Sequence, residues 1–171
     1  MRLAGLSTLV DLSVTRTRKI LSLAVLVVVC YSAAAVGGLA TAGSVSDWFQ
    51  TLNRPSFQPP DWLFGPVWTV MYGLMAVAAW LVYVKTSRFR SIPMALFAVQ
   101  LGLNIAWSII FFGLHRPGLA VLDILLLLVA IIATTIAFWK VSVTAGSLML
   151  PYLAWVVFAA VLNFSLWQLN A

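Results

Sequence analysis

Leu119-Ala-Val-Leu-Asp123-Ile-Leu-Leu-Leu-Leu-Val-Ala-Ile-Ile-Ala-Thr-Thr-Ile-Ala-Phe-Trp139 is the stretch that decides the fold. It carries one charge, Asp123, and is close to the ~20 apolar residues a helix needs to cross ~30 Å of hydrocarbon. Four further runs share this character, at residues 20–43, 62–84, 94–114 and 147–169. None alternates polar and apolar residues as the strands of a membrane barrel do. The expectation is an all-α membrane protein, a five-transmembrane-helix bundle.

Composition agrees. Of 171 residues, 63% are hydrophobic and 8% charged, against about a quarter charged in soluble domains. Mean hydropathy is +1.06. A soluble globular or a disordered chain is excluded. The net charge of +6 does not point to nucleic acid, because the basic residues sit at the edges of apolar runs. A single cysteine, Cys30, excludes an intrachain disulfide framework and a Cys-rich metal site.

Residues 1–19 read as a weakly basic leader, and residues 20–171 as the transmembrane domain. Residues 44–61 form its one long connection, a loop in which Pro55, Pro59 and Pro60 favour extended backbone. Arg18-Lys19, the first apolar run and Ala40-Thr41-Ala42 also have the layout of a cleaved signal peptide, although the run is long for one. Arg2, Arg16, Arg18, Lys19, Lys85, Arg88, Arg90 and Lys140 fall on one side of the membrane, and Arg54 and Arg116 on the other. That asymmetry predicts an N-in, C-out topology in a cell membrane. It does not bear on an outer membrane.

Helical phase, at 100° per residue, sorts the unusual residues onto faces. In the third span Gln100, Asn104, Trp107, Ser108 and Phe111 share one face. Ala98, Gly102 and Ala106 share the opposite one, a small-residue stripe that suits close helix packing, either within the chain or as a homodimer seam. Phe64, Gly65, Trp68, Tyr72, Met75 and Ala79 line up in the second span. In the fourth, Asp123, Leu127, Ala130, Thr134 and Ala137 do; in the fifth, Pro151, Tyr152, Trp155, Phe158, Ala159 and Leu162. Pro151 is expected to kink its helix. Several of these faces meet in the outer half of the membrane, roughly 6–15 Å deep. The reading is an outward-facing cup lined by Trp, Tyr, Phe and an Asn beneath the proline-rich loop.

The eight Trp then divide. Trp48, Trp62, Trp80, Trp139 and Trp167 fall at span ends or in the loop, where an aromatic belt is the plain reading. Trp68, Trp107 and Trp155 are interior. Asp123 shares a face with Arg116 and is read as a structural residue near the outer surface. His115 is the only histidine, and no acid/base pair, nucleophile set or clustered metal ligands can be assembled. The expectation is therefore a non-enzyme with no metal and no required cofactor.

The stretch from Trp48 through Leu52, Arg54-Pro55, Pro59-Pro60, Trp62, Phe64-Gly65-Pro66 and Trp68-Thr69 resembles the signature of the TspO / translocator protein (tryptophan-rich sensory protein, peripheral benzodiazepine receptor) family. Gln100 to Asn104, Trp107-Ser108, Phe111-Phe112, Pro151-Tyr152, Trp155 and Phe158 to Asn163 agree with it. The resemblance implies a five-helix bundle, commonly a homodimer. It implies a receptor or transporter-like protein that binds porphyrins such as protoporphyrin IX, sterols and benzodiazepine-type drugs. Light-dependent porphyrin degradation is the alternative. Ligand-pocket positions carried over are Phe49, Trp68, Tyr72, Asn104, Trp107, Trp155, Phe158 and Ala159, with the loop at Pro59 and Pro60 as a cover. Arg54 at the mouth is a candidate partner for the ligand's propionates. The family's sterol motif needs a Tyr and a basic residue; the segment from Leu162 to Gln168 has neither.

Overall fold

The computed structural model describes residues 15–171. The signal-peptide reading and most of the leader therefore lie partly outside the described residues. Helix α1 spans Arg16–Ser46, the short α2 Trp48–Thr51, α3 Phe64–Thr86, α4 Ile92–Ser108, α5 Pro117–Val141 and α6 Val143–Leu169. A 3₁₀ turn, Asp61–Leu63, precedes α3, and a π-helical turn, Ile109–Gly113, extends α4. α1, α3, α4 with its π turn, α5 and α6 are each long and apolar enough to cross a membrane. The all-α five-helix architecture is thus as expected.

Local chemistry sets the helix ends. Thr15 caps α1 by accepting from the Arg18 N–H at 3.4 Å. Arg16 to Lys19 therefore form the first turn of α1. Pro117 opens α5, where its missing N–H costs nothing. α3 ends at Ser87, whose φ of 55° turns the chain back towards α4. Between α5 and α6 a single extended residue, Ser142, makes the connection. A Cβ at Gly146 would lie 2.9 Å from the Trp139 backbone, so the hairpin closes only with glycine there.

Around the bundle the helices run α1, α3, α6, α5, α4 and back to α1. The interior is tight: Met75, Ala76, Ala78, Ala79, Ile131, Met149 and Tyr152 are fully buried. Large apolar side chains such as Leu122, Leu125, Leu126 and Val129 point outward, as lipid requires. α6 runs unbroken through Pro151, which lies on its exposed side.

The first connection is shorter than the composition suggests. Residues up to Ser46 stay in α1, and Trp48–Thr51 is helical. Besides the turn at Asp47, only residues 52–60 are irregular, because the helix-breaking prolines begin at Pro55. The small-residue stripe on α4 is turned away from the bundle: Ala98 and Gly102 are exposed, and a Cβ on Gly102 would meet nothing within 4 Å. Close packing at Gly102 within this chain is therefore not what the stripe serves.

Candidate functional site: an aromatic cavity under the first loop

A cavity of about 450 Å³ opens at the end of the bundle where α1, α4 and α6 finish and α3 begins. Trp68 and Tyr72 of α3, Asn104 and Trp107 of α4, and Trp155 and Ala159 of α6 wall it. Phe49 of α2 forms part of its roof. These are seven of the eight pocket positions carried over by resemblance. The eighth, Phe158, is not on the wall. It stands behind Trp155, with ring centroids 5.4 Å apart, and meets the loop residue Phe57 at 6.4 Å. The 100° turn per residue carries it past the cavity to the side where the loop descends.

Three other expectations shift. Pro59 and Pro60 do not line the cavity; they shape the approach to the 3₁₀ turn, where Leu63 N–H donates to the Pro60 carbonyl at 2.9 Å. Arg54 is not on the wall either, because its guanidinium is held inside the loop by Asp61, at 3.3 Å. α5 supplies no wall residue, since it packs behind α4 and α6. Asp123 is buried there, its Oδ2 has no hydrogen-bond partner among the described residues, and no ion pair with Arg116 forms among them.

The side missed by helical phase is α1. Gly37, Gly38, Thr41, Ala42 and Val45 make one flank of the cavity. A Cβ on Gly37 would lie 3.1 Å from Ser108 Oγ, so glycine lets α1 and α4 approach. The Gly37-Gly38 pair inside an apolar run was the available signal. Also unforeseen by phase is Phe112 of the π turn, which joins Phe111, a residue that helical phase did place on the Asn104–Trp107 face. Phe111 and Phe112 both reach the cavity, where the wider turn brings neighbouring side chains to one side.

Polar groups fix the aromatic walls. Trp107 stacks on Phe111 with centroids 5.4 Å apart, and its indole N–H donates to Asn163 Oδ1 at 2.9 Å. Asn163 in turn donates to the Pro117 carbonyl at 3.0 Å, tying α6 to the start of α5. At the floor, Tyr72 O–H donates to Asn104 Oδ1 at 2.5 Å and Asn104 Nδ2 donates to Tyr152 Oη at 3.2 Å. Tyr152 then donates to Gln100 Oε1 at 2.9 Å. All four are buried, so each bond is shielded from competing water. Gln100 and Tyr152 do not touch the cavity; they hold Asn104 in place.

The roof is strapped down at both ends. Asn53 N–H donates to Asn170 Oδ1 at 2.9 Å, and Asn170 Nδ2 returns a bond to the Asn53 carbonyl at 3.0 Å. Trp48, expected as a belt residue, instead stacks on His115 at 4.4 Å and meets Phe111 at 5.7 Å. His115 Nε2 lies 3.1 Å from Ser44 Oγ. Loop, α1 and the α4–α5 connection are thereby joined above the cavity. By contrast Trp62, Trp139 and Trp167 are exposed at span ends, where belt residues sit.

Comparison with known proteins bears on this arrangement. The TspO/MBR family profile matches residues 24–168. The tryptophan-rich protein TspO of Chlorobaculum tepidum is 41% identical over 157 residues, 90% of this chain and 98% of that protein. The human translocator protein is 40% identical over 138 residues, covering 79% of this chain and 82% of that one. The tryptophan-rich sensory protein of Cereibacter sphaeroides is 36% identical over 140 residues, 80% and 87% of the two chains.

Proposed function

The chain belongs to the TspO/MBR family, and from that premise we propose that it is a membrane receptor or transporter-like protein for flat hydrophobic ligands. A porphyrin such as protoporphyrin IX is the first candidate. The observation that carries this reading is the cavity of about 450 Å³ walled by Trp68, Trp107 and Trp155. Its size falls within the ~300–1,000 Å³ of ligand pockets. Aromatic faces suit a conjugated plate, with stacked pairs worth about 0.5–1.5 kcal/mol each beyond burial. Sterols and benzodiazepine-type drugs make the same apolar demand. The segment from Leu162 to Gln168 lacks the family's sterol motif, so the reading places these ligands in the cavity, which Leu162, Asn163 and Leu166 help to line.

The reading includes a homodimer through α4, supported by the outward-facing Ala98 and Gly102, with Ala106 half-buried on the same stripe. It also includes an orientation. Arg16, Arg18, Lys19, Lys85, Arg88, Arg90 and Lys140 belong to the end opposite the cavity mouth, which favours that end inside and the mouth outside in a bacterial cell membrane, or in an outer membrane. The role is binding in tetrapyrrole transport or regulation, without protein acid/base chemistry and with the porphyrin as ligand. Light-dependent degradation of the bound porphyrin is the alternative. What favours it is Trp68, which meets Tyr72 at 5.7 Å and Tyr152 at 6.3 Å beside the ligand space.

Titration of protoporphyrin IX into the protein in lipid nanodiscs, followed by tryptophan fluorescence, tests the binding role. Saturable quenching is expected. A linear response equal to that of empty nanodiscs would exclude it.

A further inference from the structure

The first loop is folded around one ion pair, and the anion of that pair belongs to the cavity. Asp61 lines the cavity mouth. Its carboxylate accepts from Arg54 Nη1 at 3.3 Å, from Gln50 Nε2 at 3.0 Å and from Gln58 Nε2 at 3.2 Å. The other guanidinium nitrogen is committed elsewhere. Arg54 Nη2 donates to the Phe49 carbonyl at 3.1 Å and to Gln50 Oε1 at 2.6 Å. The guanidinium carbon also sits 4.8 Å above the Phe49 ring, and Phe49 roofs the cavity. One edge of Arg54 is thus pinned within the loop, while the other is turned to a carboxylate at the mouth.

Resting on the reading that an aromatic acid enters this cavity, we infer that Asp61 holds the place of the ligand's carboxylate. It occupies Nη1 of Arg54 while the cavity is empty and surrenders it to an anionic ligand edge. The exchange strands no charge. Arg54 keeps an anion on Nη1, in a charge-assisted bond of the same kind. Asp61 keeps Gln50 Nε2 and Gln58 Nε2, and with 32% of its side chain exposed it also meets water. A neutral ligand offers Arg54 nothing in return, so it enters past an intact pair. The ligand class selected is therefore an aromatic plate with a carboxylate at the edge that faces the mouth. With the exchange, the tether that closes residues 54–61 passes from the protein to the ligand. Asp47, His115 and Arg116 are the other charged or titratable groups at this end, and the hydrogen bonds and ion pair of Arg54 and Asp61 include none of them.

The test compares protoporphyrin IX, a dicarboxylic acid, with its dimethyl ester, on the full chain in nanodiscs of neutral lipid. Asp61→Asn removes the competing anion and retains the side chain's size. The diacid should bind Asp61→Asn about two- to fivefold tighter than the parent, the scale of one partly exposed charge pair, while the ester binds both alike. Arg54→Gln should erase the difference between diacid and ester. The ester also reports on folding, because a damaged loop lowers both affinities together. An identical diacid-to-ester ratio in the parent and both variants overturns the exchange alone. Binding of neither porphyrin by the parent overturns the porphyrin reading and the exchange with it.

Discussion

The indole N–H of Trp107 donates to Asn163 Oδ1 across the α4–α6 interface at 2.9 Å. That bond holds a cavity wall at a fixed angle, and Asn163 passes the constraint on to Pro117 at the start of α5. Asn163→Leu keeps the volume and removes both bonds. It leaves a buried donor and a carbonyl unsatisfied, at about 1–3 kcal/mol for such a loss. A lower thermal midpoint in nanodiscs is expected. In the Trp107→Phe background the same substitution should cost less, since the donor has gone; equal costs would refute the coupling.

Gly37 permits the α1–α4 contact that closes one flank. A Cβ there lies 3.1 Å from Ser108 Oγ, whereas a Cβ on the adjacent Gly38 meets nothing within 4 Å. Gly37→Val should therefore destabilise by about 1–3 kcal/mol, the range for overpacking, and Gly38→Ala should not. Melting curves of the two variants, measured side by side, check this.

The proposed dimer seam on α4 can be tested apart from folding. Gly102 faces open space, so Gly102→Leu creates no clash within the chain. The expected outcome is a folded protein with an unchanged melt and a shift from dimer to monomer in light scattering. A dimer that persists would move the seam elsewhere.

Asp123 is buried at membrane depth in α5 with Oδ2 unpartnered among the described residues. A charge in that position costs stability. Asp123→Asn should leave porphyrin affinity unchanged, because α5 forms no part of the cavity wall. It should also raise stability, by about 1 kcal/mol or more. A fall in stability, read in the same melts, would show that the Asp123 carboxylate is stabilising.

Much of this arrangement was legible in the chain, for reasons that also explain the remainder. Span number follows from run length alone, because hydrocarbon thickness sets it. Asn104, Trp107 and Phe111 were placed together by phase, since an α-helix returns residues spaced by three and four to one face. Phe158 failed on the same rule, because it lies a little past the edge of the face, and only the neighbouring helix decides where a cavity stops. The α1 flank was missed because its signal, the Gly37-Gly38 pair, marks a space and not a side chain that helical phase could place. Arg54 was read as a free rim cation because its tie to Asp61 depends on how the loop folds back. The Asn53–Asn170 strap joins residues 117 positions apart, beyond the reach of any local pattern.

The central claim is that a porphyrin enters the aromatic cavity and does not merely dissolve in the surrounding bilayer. Protoporphyrin titration of Trp68→Ala/Trp107→Ala beside Trp62→Ala/Trp139→Phe tests it most directly. The first pair removes cavity wall; the second removes indoles at exposed span ends, Trp62 being 71% and Trp139 40% accessible. The first variant should lose about tenfold or more in affinity, from two stacking surfaces, and the second should keep parental affinity. Equal affinity in the two variants would contradict the claim.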